Sequence, residues 1–194
     1  MERWTSRILL VCIIVFVFQL TIEEFDLLFS FIPAMAIKQP WRFITSIFMH
    51  ADPAHLFLNM FALLTFGNYL ELKIKPKKFL LVFFASGILG NLAYFLTSPT
   101  SSIPAVGASG AIFGIIGTLA ILYPHLIVYF FYVPMPLVFA AFFWTLISIV
   151  GMFIPSQIAH QSHLAGLLFG MIYGYYLKKK ASKRKVIYYW YSIS

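Results

Sequence analysis

Ser109 lies between Gly107 and Gly110 in the stretch Val106-Gly107-Ala108-Ser109-Gly110-Ala111-Ile112-Phe113-Gly114, just after Pro104 and at the mouth of a long apolar run. A serine hydroxyl becomes a good nucleophile once a neutral imidazole can take its proton, and His163 is a candidate for that base. The flanking glycines let the backbone turn sharply and let another segment approach the hydroxyl. A helix start adds unsatisfied N–H groups and a positive dipole end, which suit developing negative charge. His55 and Asn59, one helical turn apart, bring a ring and an amide that can join the Ser109 N–H as oxyanion donors. The chemistry these types can support is hydrolysis through an acyl intermediate. The same small residues also suit plain packing between membrane helices, so the elements that carry them must decide.

Those elements are membrane helices. The chain is 61% hydrophobic and 10% charged over 194 residues, which places it among all-α polytopic membrane proteins. Too few segments alternate for an outer-membrane barrel. One domain is expected over residues 1–194, with a core at about 8–177 and a basic tail at 178–194. The single cysteine, Cys12, excludes an internal disulfide and a cysteine-based metal site, and nothing indicates a metal or cofactor. The net charge of +8 would suit nucleic acid, but its distribution assigns it to membrane topology instead.

Six spans are expected. The first covers residues 8–22, short but retained rather than cleaved, since no small-residue cleavage site follows it. An interfacial loop over 25–49 carries aromatic residues, Pro33, Pro40, Trp41 and Arg42. The second span then runs to about 72, and the third, fourth, fifth and sixth fall at about 79–96, 105–123, 136–152 and 160–177. Arg3, Arg7, the lysines of 73–78 and those of 178–185 share one side. By the positive-inside rule both termini are cytoplasmic and the protein is a multi-pass component of the cell membrane.

Spans two, four and six then all run inward, and their outer ends carry His55 and Asn59, Ser109, and His163. Ser109 and His163 are each expected about four residues into a helix, about 6 Å below its start at 1.5 Å per residue. Polar groups at such depth need one another or a wet cavity. At about 100° per residue, Gly166 and Gly170 share a face with His163, and Gly110 and Gly114 share a face of span four bordered by Ser109. With Gly107, these glycines are expected to serve helix packing near the site. No carboxylate reaches this depth, since Asp52 belongs to the outer loop and Glu71 to the inner end of span two. A Ser–His dyad is therefore expected, opening toward the extracytoplasmic side.

Trp41-Arg42, His50, His55-x-x-x-Asn59, Gly67-x-x-x-Glu71, Gly107-Ala108-Ser109-Gly110 and Ser162-His163-Leu164-Ala165-Gly166, in this order and on these spans, resemble the rhomboid family of intramembrane serine proteases. The resemblance covers essentially the whole chain. It implies a six-transmembrane-helix rhomboid-like bundle that cleaves peptide bonds in or near the transmembrane segments of membrane protein substrates within the lipid bilayer. It also implies Ser109 as nucleophile, His163 as general base and acid, and His55, Asn59 and the Ser109 N–H as oxyanion hole. Trp41, Arg42 and Glu71 look like structural positions of the family. Phe113 departs from the pattern, where tyrosine is common; it can stack on an imidazole but cannot hydrogen-bond it.

Two other classes compete. A catalytically silent rhomboid-like protein would bind transmembrane segments in the same groove. A small transporter would need polar residues continuing inward, and below Asn59 and His163 the spans turn apolar. Access for substrate is expected between spans two and five, with the loop after span five.

Overall fold

In the computed structural model, the described residues are 3–130, 132–154 and 158–191, with side chains through 182. They form a mostly helical bundle. Helix α1 (Trp4–Thr21) is apolar along its length and starts earlier than its hydropathy suggests. The reason is a cap supplied from elsewhere in the chain. Glu71 accepts from the Trp4 N–H (2.8 Å), the Thr5 N–H (3.0 Å) and the Thr5 hydroxyl (2.7 Å), satisfying donors that a helix start leaves open. Cys12 points into the core from the middle of α1 and is fully buried.

The interfacial loop folds into short turns, α2 (Phe25–Phe29) and α3 (Arg42–Thr45) with 3-10 turns at Pro33–Met35 and Ser46–Phe48. Arg42 gathers them. Its buried guanidinium donates to the Gln39 side chain and to the carbonyls of Ser30 and Leu27. Trp41 Nε1 donates to the Leu28 carbonyl at 3.1 Å.

Span two is made of α4 (Pro53–Ala62), a π turn at Leu63–Gly67 and α5 (Asn68–Ile74). Asp52 caps α4 by accepting from the His55 N–H at 2.8 Å, and Pro53 occupies the first turn where its missing N–H costs nothing. The π turn adds one residue to the spiral. Without it, Asn59 and Glu71 would point about 120° apart; the extra residue turns them back by about 100°, and both are buried. The same segment thus presents buried Asn59 in its first half and Glu71, the cap of α1, in its second.

Helix α6 (Pro76–Thr97) follows a break at Lys75, whose φ is 76°. Helix α7 (Ser109–Leu122) begins at the serine itself, not at residue 105 as expected. Ala105 is paired with Phe31 through both backbone groups, so the chain stays extended there, and no helical rise separates 105 from 109. Strands β1 (Ile127–Phe130) and β2 (Val133–Pro136) form an antiparallel hairpin in a stretch expected to be loop. Helix α8 (Leu137–Gly151) matches the expected fifth span. Helix α9 (His160–Tyr191) runs straight through the basic stretch expected as a separate tail. Lysine, alanine and arginine sustain a helix, and no glycine or proline follows Gly174 before Tyr191. Side chains of 183–191 lie outside the described residues, and with them the tyrosines of 188–191 expected as interfacial anchors.

At the centre, α7 is buried from Gly110 to Ala120 apart from Phe113, enclosed by α6 and α9. A methyl group built on Gly166 or Gly170 would overlap the carbonyl oxygen of Gly110 or Gly114, so only glycine permits this approach. Thr118 reinforces it, donating to the Gly170 carbonyl at 3.0 Å.

Among the described residues two helices, Trp4–Thr21 and Pro76–Thr97, are long and apolar enough to cross a membrane by themselves. The bent pair Arg42–Phe48 and Pro53–Ile74, meeting at 91°, makes a third candidate, and Ser109–Leu122 and Leu137–Gly151 are shorter apolar helices.

Candidate active site

The glycine contact between α7 and α9 brings their first turns together. There His163 Nε2 lies 2.8 Å from Ser109 Oγ, within hydrogen-bond distance. Both residues are half-buried. Phe113, one turn below Ser109, stacks on the His163 ring with centroids 4.5 Å apart and planes 7° apart. Phe113 in turn meets Trp144 of α8 edge-on at 6.0 Å.

Gly107 is not a helix-packing residue as expected. It lies in the loop before α7 with φ of +125°, a conformation that glycine alone adopts readily. A methyl group built there would fall 2.8 Å from His55 Cε1, 3.0 Å from His55 Nε2 and 3.8 Å from Ser109 Oγ. The bare Gly107 backbone therefore faces both side chains. His55 Nδ1 accepts from the Ala51 N–H at 3.4 Å, which leaves the proton of a neutral ring on Nε2, the nitrogen nearest the site. Asn59 is buried, and its amide donates to the His55 carbonyl at 2.9 Å.

Of the other expected packing residues, Gly110 lies against the Ser162 carbonyl and Gly114 against the Ser86 side chain. Asp52 and Glu71 are committed to capping, and no carboxylate among the described residues bonds the His163 ring. Two more histidines flank the pair. His50, fully buried, meets His55 at 5.3 Å, and His160, packed on Gly151, meets His163 at 6.1 Å.

Such an arrangement has a candidate nucleophile and a candidate base in contact, with candidate donors on a separate helix. A family model of the Rhomboid domain matches residues 37–180, a span that contains all of these groups. The chain belongs to the rhomboid family. It is similar to the rhomboid-family protein YdcA of Bacillus subtilis (strain 168), 34% identical over 146 residues that cover 74% of this chain and 70% of YdcA. It is 44% identical over 79 residues to rhomboid protease GluP of the same organism, covering 41% of this chain and 15% of GluP. Over 79 residues it is also 35% identical to inactive RHOMBOID-like protein 8 of Arabidopsis thaliana, covering 41% of this chain and 22% of that protein. This rhomboid chain thus spans most of YdcA and less than a quarter of the other two. Rhomboid relatives carry both protease and inactive names. As a rhomboid protein with these apolar helices, it is a multi-pass membrane protein.

Several groups around the rhomboid site went unnoticed in the sequence. Gln19 of α1 holds the His50 backbone from both sides, its amide donating to the His50 carbonyl and its oxygen accepting from the His50 N–H, each at 2.9 Å. Asn91 of α6 donates to Ser46 Oγ at 2.9 Å and to the Phe43 carbonyl at 3.0 Å. The signal available for both was a lone amide in an apolar span, which is costly unless bonded.

Proposed function

We propose that this protein is an intramembrane serine endopeptidase that cleaves peptide bonds in or near transmembrane segments with a Ser109–His163 dyad. The observation that carries the reading is the 2.8 Å contact between Ser109 Oγ and His163 Nε2 across two helices. Neutral His163 accepts the Ser109 proton as Oγ attacks the scissile carbonyl carbon. The carbonyl oxygen takes the negative charge and is met by His55 Nε2–H, the Asn59 amide and the Ser109 N–H. Collapse of the tetrahedral intermediate expels the amine, which leaves with the proton held by His163. Water then attacks the acyl–serine ester, giving a proton to His163; the C–Oγ bond breaks as His163 returns that proton to Ser109 Oγ, and the carboxylic product leaves.

In this reading the chain crosses the membrane six times, by α1, α4 with α5, α6, α7, α8 and the first part of α9. Arg3, Arg7, the lysines of 73–78 and Lys178, Lys179 and Lys180 then face the cytoplasm, and the site faces the opposite side. With 14 residues, α7 rises about 21 Å against a hydrocarbon core of about 30 Å. Being enclosed by other helices, it need not match the bilayer. If its inner end sits at the cytoplasmic boundary, Ser109 is recessed by about 9 Å from the outer one.

Substrate reaches it from the side, between α4 and α8. Phe57, Leu58 and Phe61 of α4 and Phe139, Phe142, Leu146 and Val150 of α8 are exposed, and the span-two side meets α8 lower down, where Phe66 lies edge-on to Trp144 at 6.4 Å. A separate cavity of about 370 Å3 is bordered by Tyr94, Ser98, Ala105, Met152 and Gln161, and none of Ser109, His163, His55 and Asn59 lines it.

The test is reaction of the detergent-solubilised protein with a fluorophosphonate probe, followed by cleavage of a membrane-anchored substrate in liposomes. Labelling and cleavage that both vanish in Ser109→Ala and His163→Ala variants are the expected result. Cleavage that persists in either variant overturns the dyad. An unlabelled wild type that still binds transmembrane peptides is the silent binder suggested by the inactive relative.

A further inference from the structure

The loop that delivers Ser109 is held at Gly107, and the hold leads back to one turn of α6. The Gly107 N–H donates to the Ser46 carbonyl at 2.9 Å. Ser46 is buried; its hydroxyl donates to the Arg42 carbonyl at 2.8 Å and accepts from Asn91 Nδ2 at 2.9 Å. The same Asn91 nitrogen donates to the Phe43 carbonyl at 3.0 Å, so both its protons are used. Next to Asn91, the Gly90 carbonyl accepts from Ser162 Oγ at 2.9 Å, and Ser162 immediately precedes His163. Adjacent residues of α6 thus grip the segment ahead of the base and, through Ser46, the segment ahead of the nucleophile.

We propose that Asn91 is a positioning residue: through Ser46 it fixes Gly107 and with it the spacing between His55 Nε2 and Ser109 Oγ. This rests on the dyad reading above. A buried amide in an apolar helix is expensive unless it is bonded, and a residue that merely fills space there would be apolar. Loss of the Asn91–Ser46 bond frees Ser46 to move with its loop. The carbonyl that holds Gly107 moves with it, and the oxyanion donor shifts relative to the hydroxyl. A displacement of about 1 Å at such a point costs up to about a hundredfold in rate.

The experiment measures, on the full chain in detergent, the second-order rate of Ser109 labelling by a fluorophosphonate, kcat and KM for a membrane-anchored substrate, and the thermal midpoint. The variants are Asn91→Ala, Ser46→Ala and the double variant, with Glu71→Gln as a stability control remote from the site. Expected are losses between about tenfold and a hundredfold in labelling and kcat for each single variant, little change in KM, and a double variant no worse than the poorer single one. Glu71→Gln lowers the thermal midpoint and leaves labelling per folded molecule unchanged. Wild-type labelling in folded Asn91→Ala, or losses that multiply in the double variant, overturn the proposal while leaving the dyad standing. Should Asn91→Ala not fold, Ser46→Ala alone decides, since unchanged labelling there breaks the proposed chain. A wild type that is neither labelled nor active overturns the protease reading and this one with it.

Discussion

Phe113 lies flat against the imidazole of His163, ring planes 7° apart, and forms the wall that sets the plane in which Nε2 meets Ser109. An aromatic pair of this kind contributes about 0.5–1.5 kcal/mol beyond its burial. Phe113→Leu is expected to slow fluorophosphonate labelling by about two- to tenfold, whereas Phe113→Tyr, which keeps the stack, should label at or above the wild-type rate. A leucine variant as fast as wild type would show that the stack does not orient the base.

In the proposed mechanism Asn59 is an oxyanion donor, and its side chain bonds the His55 carbonyl rather than Ser109 or His163. Asn59→Ala should therefore fold and bind substrate with near-normal KM while kcat drops by about a hundredfold, near 3 kcal/mol. Steady-state kinetics on a membrane-anchored substrate check this. A rise in KM with unchanged kcat would place Asn59 in substrate binding instead.

Glu71 holds the first turn of α1 with three hydrogen bonds at the far end of span two. Glu71→Ala leaves the Trp4 and Thr5 donors without their acceptor, and a loss of about 1–3 kcal/mol of stability is expected. Thermal unfolding in detergent measures it. Cleavage per folded molecule should stay near wild type, because the π turn separates Glu71 from Asn59 along the span.

Lateral access makes a different demand. Cysteines at Phe66→Cys and Trp144→Cys, joined by a short bifunctional reagent, should stop cleavage of a transmembrane substrate yet leave labelling by a small fluorophosphonate possible. Proteolysis that survives complete cross-linking would rule out the route between α4 and α8.

The meeting of Ser109 with His163 was legible because both fall at the starts of apolar segments, α7 and α9, whose glycine faces let them touch. The start of α7 was not, because the pairing of Ala105 with Phe31 that delays it is made across the chain. Leu63, Leu64, Thr65, Phe66 and Gly67 carry no mark of a π turn, since one inserted residue leaves hydropathy unchanged. Pro134 and Pro136 read as breakers although they lie on a two-stranded hairpin, where neither strand has a second neighbour to require their missing N–H. Asn91 and Gln19 stayed hidden because a single amide in an apolar helix has many possible partners, and only coordinates select among them.

The buried thiol of α1 has a practical sequel. Cys12 is the sole cysteine of the sequence and is fully enclosed by neighbouring side chains. A maleimide or spin label applied to the native protein should find nothing to attach to, so a reporter placed by Phe57→Cys or Phe142→Cys gives an uncontaminated readout. Distances between α4 and α8 can then be followed with and without added substrate in a background whose native sulfur never needs to be removed.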